Sequence, residues 1–205
     1  MPRATPLPPD ERRAALIAAT EPLLEQFGRE VSTKRIAEAA GVAEGTIFRV
    51  FPTKEALIDA VCDQVLDLDR TCTELARIDR TADLESRLVI AVAVLQRRLR
   101  RIFTLFHALR MERRPSCEAG GHPARHQLEN ERLTGVLAEL LEPDQATLRM
   151  PAAEAADALR LVTLALTHPL LSDHRPQEPR QIVDLVLHGI SRPASTTPST
   201  GPTAC

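Results

Sequence analysis

The sequence predicts an all-α protein, with an amino-terminal three-helix helix-turn-helix domain followed by a helical bundle. Three observations carry that prediction. Apolar residues recur at three- and four-residue spacing in segment after segment, the period of one helix face. Proline and glycine punctuate those segments at points where a helix must end. No stretch reads as a convincing strand, and no internal repeat is evident. With 205 residues, 43% hydrophobic and 26% charged, the chain can bury one large core or a small core and a larger one.

The elements follow in order. Residues 1–9 form a Pro-rich arm expected to be mobile. A first helix is expected over about 10–26, with Leu16, Ile17, Thr20, Leu23, Leu24 and Phe27 on one stripe. Ser32 or Thr33 can cap a second helix, whose narrow face is Ile36, Ala37 and Ala40. Gly41 follows, where a helix end needs a left-handed residue. Val42 and Ile47 turn back to the core, and Pro52 stops the third helix near Phe51 because it lacks a donor and disfavours helix before it. Thr53 can cap a fourth helix carrying Leu57, Ile58, Val61, Val65 and Leu68. Beyond it come a long helix over about 84–101, a shorter or kinked continuation to Met111, a loop over 112–123, and helices over 124–141, 152–171 and 179–190. The expected domains are 10–56 and 57–191, with 1–9 and 192–205 disordered.

Residues 32–57 have the layout of a helix-turn-helix, a device that presents one helix to the major groove of DNA. From about Glu11 to about Ala60 the chain resembles the TetR family of bacterial transcriptional regulators. The matching pattern is Thr33, Ile36-Ala37, Ala40-Gly41-Val42, Gly45-Thr46-Ile47-Phe48 and Phe51-Pro52-Thr53-Lys54-Glu55-Ala56-Leu57. The rest of the chain resembles that family only in length and helical character. Carried over by position, the resemblance implies that Thr33 and Lys34 meet DNA at the start of the second helix. Glu44, Gly45 and Thr46 would occupy the front of the recognition helix, Phe48 and Arg49 would follow on the same face, and Lys54 would grip a phosphate. Phe48 stands where the family usually has tyrosine, so one phosphate-bonding hydroxyl is missing, and Val50 stands where an aromatic is frequent. Arg49 has the forked geometry that suits guanine O6 and N7 together, and contact with a base or a phosphate is favoured over a solvated helix charge.

The global charge announces no nucleic acid: formal net charge is −2, and residues 1–60 hold eight Lys and Arg against nine Asp and Glu. Affinity for DNA would have to come from local cations, Lys34, Arg35, Arg49 and Lys54, and would be salt-dependent. The helix over 152–171 is apolar around much of its circumference, and the one over 179–190 has a similarly broad apolar surface. In the family the last two helices pair with their mates, so the resemblance implies a homodimer through 152–171 and 179–190, whose two recognition helices would read a palindrome with half-sites about 34 Å apart. The same residues also suit a monomer core.

The family is typically released from DNA by a small molecule among its middle helices. Here the candidates are Leu95, Leu99, Phe103, Phe106, His107, Leu109, Arg110 and Met111, with facing residues from 124–141; they equally suit a plain core. With no Trp or Tyr and only five Phe, a small apolar effector in an aliphatic pocket is expected rather than a flat drug between stacked rings. Residues 96–101, Gln-Arg-Arg-Leu-Arg-Arg, could neutralise an anionic ligand, add a phosphate contact, or form a solvated face, the last being favoured. Cys117, His122 and His126 have metal-ligand spacing but no evident fourth ligand, so no metal is assigned. His168, before Pro169, reads as a capping or packing residue. No phosphate loop, nucleophile elbow or paired-carboxylate motif is present, so no enzyme and no cofactor are expected. A ligand-responsive regulator, in the sense of a repressor, is the leading reading; a helical scaffold or co-regulator with weakened DNA binding is the alternative. No signal core and no membrane-length apolar run occur, and the four cysteines are unpaired in spacing, which points to the cytoplasm.

Overall fold

The computed structural model describes residues 8–110, 123–172 and 177–190. Among these, nine α-helices and no strand are found: α1 Pro9–Phe27, α2 Thr33–Ala39, α3 Glu44–Val50, α4 Lys54–Leu66, α5 Asp69–Ala76, α6 Leu84–Ala108, α7 Pro123–Leu141, α8 Ala152–Thr167 and α9 Pro179–Ile190. The local punctuation acts where it was expected. Ser32 Oγ accepts from the Arg35 amide at 3.3 Å, and Thr53 Oγ1 accepts from the Ala56 amide at 3.0 Å, so each satisfies a donor the helix start leaves bare. Gly41 takes φ +65° in the turn between α2 and α3.

Two cores organise the helices. The first gathers Leu16 and Leu24 of α1, Ile36 of α2, Ile47 of α3, Phe51, and Leu57 and Val61 of α4, all at most 1% exposed. The second joins Leu75, Leu88, Val92, Leu137, Leu159 and Ile182 from α5 to α9. Helix α6 belongs to both: Leu88 and Val92 lie in the second core, whereas Leu105 and Leu109 are buried in the first. The four turns of α4 after Thr53 likewise contribute Leu57 to Val65 to the first core. At the junction, Glu21 of α1 forms a two-bond ion pair with Arg101 of α6, and Gly28 abuts the Ala108 carbonyl.

Several expected boundaries move. Helix α4 stops at Leu66 and a separate α5 begins at Asp69, an element absent from the sequence reading. The break is held by Arg98, whose Nη1 and Nη2 donate to the carbonyls of Asp67 and Leu66 at 2.5 and 2.6 Å. Helix α6 runs unbroken to Ala108 instead of kinking near residue 101, and α8 ends at Thr167 rather than near 171 because Pro169 cannot continue it. Met111, Cys117 and His122, the side chain of His126, and the segments expected to be disordered at 1–7 and 191–205 lie outside the described residues.

The second core contains one buried cation. Arg87, 3% exposed, donates from Nε to the Leu140 carbonyl at 3.1 Å and from Nη1 to the carbonyls of Arg80 and Ala82, and it pairs with Asp144. It thereby ties the start of α6 to the end of α7 with its charge fully partnered. Cys62 and Cys72 are buried free thiols, and burial first, then Asp59, pushes the Cys62 pKa up to about 11, leaving it unreactive. Among the described residues no helix is long and apolar enough to cross a membrane.

Candidate nucleic-acid interface

Helix α3 is seated by Ile47, with Val50 packed beside it against the first core. Ile47 is fully buried, so the helix is pinned on that side and turns Glu44, Gly45, Phe48 and Arg49 outward, where all four are exposed. Thr46 is half-buried at the edge. The Thr33 hydroxyl donates to the Glu44 carboxylate, joining the first turn of α2 to the first turn of α3. The two helix starts expected to face DNA are therefore locked to each other, and both side chains use part of their hydrogen-bonding capacity within the protein.

The four local cations divide into two pairs. Arg35 lies over the Phe27 ring, its guanidinium carbon 4.2 Å from the centroid, and so braces α2 against the end of α1. Lys54 Nζ donates to the Arg29 carbonyl at 2.9 Å and the Val31 carbonyl at 3.4 Å, so it holds the chain just before α2. Those two contacts leave one of the three ammonium N–H groups of Lys54 for an outside acceptor. Lys34 and Arg49 are exposed and make no hydrogen bond or ion pair among the described residues. A second cation–π contact, Arg13 over Phe51 at 4.4 Å, braces α1 against the residue that ends α3. Neither contact was visible to the sequence reading, since each joins residues distant in the chain.

Gly45 stands on the outward face with nothing within 4 Å of where a Cβ would sit. Gly45→Ala should therefore stabilise the free protein by about 0.5 kcal/mol, because alanine loses less backbone entropy in a helix. If this face enters a groove, the same methyl should weaken DNA binding about tenfold. Thermal unfolding and fluorescence anisotropy on one preparation measure the two effects together; raised stability with unchanged affinity would remove Gly45 from the interface.

Behind this domain, the residues expected to line one pocket are divided by α6 between two cavities. Leu95 and Leu99 face a small cavity of about 150 Å³, closed by Leu68, Ile102, Leu133 and Leu164. Phe103 and His107 face a larger one of about 430 Å³ between α1, α6 and the end of α8. Phe106 and Arg110 line neither, and Leu109 is buried in the first core. The larger cavity is not purely aliphatic. Beside Phe103, Leu166 and Pro169 it presents Gln96, Arg100, Thr104, His107, Thr167 and Ser172, and Glu25 reaches it from α1. The Thr167 hydroxyl is buried without a hydrogen-bond partner among the described residues. His168 packs edge-on against Phe103, with ring centroids 4.6 Å apart, which confirms a packing role. The Arg run of 96–101 is largely consumed by intramolecular bonds: Arg97 meets Glu74, Arg98 caps α4, and Arg101 meets Glu21.

A buried isoleucine that turns a short, glycine-bearing helix outward, set on α1 and α2 through a tight Gly41 turn, has the geometry of a helix-turn-helix. Residues 16–61 match the model of the bacterial regulatory proteins, tetR family. Solved structures of similar fold include NalD, the secondary repressor of the MexAB-OprM multidrug efflux pump in Pseudomonas aeruginosa, at 24% identity over 89% of this chain and 98% of that one, TM-score 0.54. The regulator SCO0520 from Streptomyces coelicolor aligns at 23% identity over 87% and 98%, TM-score 0.56. A SmeT–triclosan complex aligns at 17% identity over 95% and 99%, TM-score 0.57. The amino-terminal segment thus resembles the domain that this family model describes, and the chain as a whole shares the fold of these structures.

Proposed function

We propose that the protein is a cytoplasmic repressor that binds a palindromic operator as a homodimer and is released by a small molecule. The observation that carries the DNA-binding half is the outward face of α3, with Arg49 and Gly45 exposed and Lys34 beside them. Arg49 reads a base edge or grips a phosphate, Lys34 neutralises a phosphate, and Thr33, Glu44, Thr46 and Phe48 complete the surface that meets the groove. Lys54 acts by holding the chain before α2 in place.

The effector half rests on the cavity that Phe103 and His107 share with Glu25. Its volume suits a small organic molecule, and its orphaned Thr167 hydroxyl, with Gln96, Arg100 and His107 in the same walls, favours an apolar body that carries hydrogen-bonding groups. Because Glu25 belongs to α1 and His107 to α6, a molecule seated there touches both the DNA-binding domain and the helix that enters both cores. Binding that prefers one spacing of α1 and α6 would shift the population between DNA-competent and released states.

The test is a gel shift or anisotropy titration on the DNA upstream of the chain's own coding sequence. A palindromic site should bind at nanomolar concentration and moderate salt, and Arg49→Ala should weaken it by about 1–3 kcal/mol, roughly tenfold to a hundredfold. Unchanged affinity in that variant, with its fold intact by circular dichroism, would overturn the role given to Arg49.

A further inference from the structure

Away from the cavity proposed for the effector, a third cavity of about 340 Å³ opens at the break between α4 and α5, against α6. Its charged walls are Arg70, Arg97, Arg98 and Arg101 against Asp67 and Glu74, four guanidinium groups to two carboxylates. Arg101 is satisfied by Glu21, and the Asp67 carboxylate accepts from the Asp69 amide at 3.0 Å at the start of α5. Glu74 is thus shared by two arginines. Arg70 reaches it through Nε at 3.0 Å, and Arg97 reaches it through Nη2 from the other helix. Arg70 bonds Glu74 through Nε and Arg97 through Nη2, and no other hydrogen bond of either side chain is found among the described residues. Their side chains are 79% and 63% exposed, so their remaining N–H groups open to the cavity and solvent. The strength of the positive field is felt by Glu74 itself: the hydrogen bond from Arg70, with Arg97 adding to it, holds its carboxyl below the ordinary range.

We propose that this cavity is a binding site for a small multivalent oxyanion of the phosphate-ester class, held between Arg70 of α5 and Arg97 of α6 with Glu74 as the internal competitor. Guanidinium forks match the paired oxygens of a phosphate, and two of them from different helices converge on one acceptor position. Of the two carboxylates in the walls, Glu74 stands where the anion would sit. A monovalent anion gains little against it, whereas a group carrying two or more charges can displace it. The cavity has room for more than a single phosphate group, which admits a diphosphate or a phosphorylated small molecule.

The site is tested on the full chain with no DNA present, so its failure and the failure of the regulator reading are separable. Pyrophosphate is titrated by calorimetry and thermal shift at constant ionic strength, with sodium chloride replacing it in the control. Saturable binding and a rising melting temperature are expected, with chloride giving neither. Arg97→Gln and Arg70→Gln should each weaken binding about tenfold. Glu74→Gln should tighten it about threefold to fivefold, since it removes the competitor, and a variant that merely damaged the fold could not do this. Equal stabilisation by chloride, full binding by the arginine variants, or weaker binding by Glu74→Gln would each overturn the proposal. In a separate arm an operator-free duplex replaces pyrophosphate as the titrant: if Arg97→Gln weakens its binding about tenfold and Glu74→Gln tightens it, the phosphate recognised is that of a nucleic-acid backbone and a free small anion is overturned as the ligand, whereas duplex binding unchanged by both variants leaves the small anion as the ligand.

Discussion

Gly28→Ala should lower the unfolding free energy by about 3 kcal/mol or more, one of the two largest effects expected of any small change in this protein. Gly28 has φ +56° and ψ −145°, a region of backbone space that is essentially closed to residues with a Cβ. The added methyl would also stand 2.5 Å from the Ala108 carbonyl oxygen, a backbone atom that cannot swing aside as a side chain can. Relief requires α1 and α6 to separate, yet Leu105 and Leu109, on either side of Ala108, are buried in the first core. Strain and lost packing therefore add. For a chain of this size the melting temperature should fall by about 6–12 °C in a calorimetric scan. A fall of no more than about a degree would mean that the end of α6 accommodates the methyl freely.

The second large effect concerns association. Leu161 of α8 and Leu185 of α9 are 48% and 58% exposed, on helices whose other faces fill the second core. Large apolar side chains left open on two neighbouring helices are what a twofold interface would cover. If the proposed homodimer uses this face, replacing both by arginine should yield a folded monomer, because neither side chain reaches the core and arginine is readily solvated where they now point. Desolvating four guanidinium groups across a twofold axis would cost more than the contact returns. With two half-sites no longer bound together, operator affinity should drop by about a hundredfold or more. Sedimentation velocity gives the oligomeric state and anisotropy the affinity. A double variant that remains dimeric would move the interface elsewhere on the surface.

The helix-turn-helix was legible in the sequence because its determinants are local. Ser32 and Thr53 cap the helices that follow them, Gly41 turns, and Pro52 stops α3, each acting within three or four residues of its own position. The helical body was legible as a set of apolar stripes for the same reason. The division of α4 from α5 was not, since the pattern of Val65, Leu68, Cys72 and Leu75 runs on through the break. What ends α4 is Arg98, thirty-one positions away, taking the carbonyls of Leu66 and Asp67.

Site residues show the same division. Composition and spacing placed Lys34, Arg35, Arg49 and Lys54 around one motif. Only the packing of α1 decided that Arg35 would rest on Phe27 and that Lys54 would hold the carbonyls of Arg29 and Val31, leaving Lys34 and Arg49 without a hydrogen bond or ion pair among the described residues. The residues along α6 carried one apolar pattern, but a helix that neighbours different elements on different sides cannot present one pocket. Leu95 and Leu99 meet α7, whereas Phe103 and His107 meet α1 and the end of α8. The sequence by itself determined an all-helical chain with a helix-turn-helix at its front, because caps, turns and apolar periods act over a single turn of helix. Tertiary structure alone decided where α4 breaks, which cations stay exposed, how the cavities are divided and how closely Gly28 meets Ala108, because each depends on groups brought together from distant parts of the chain.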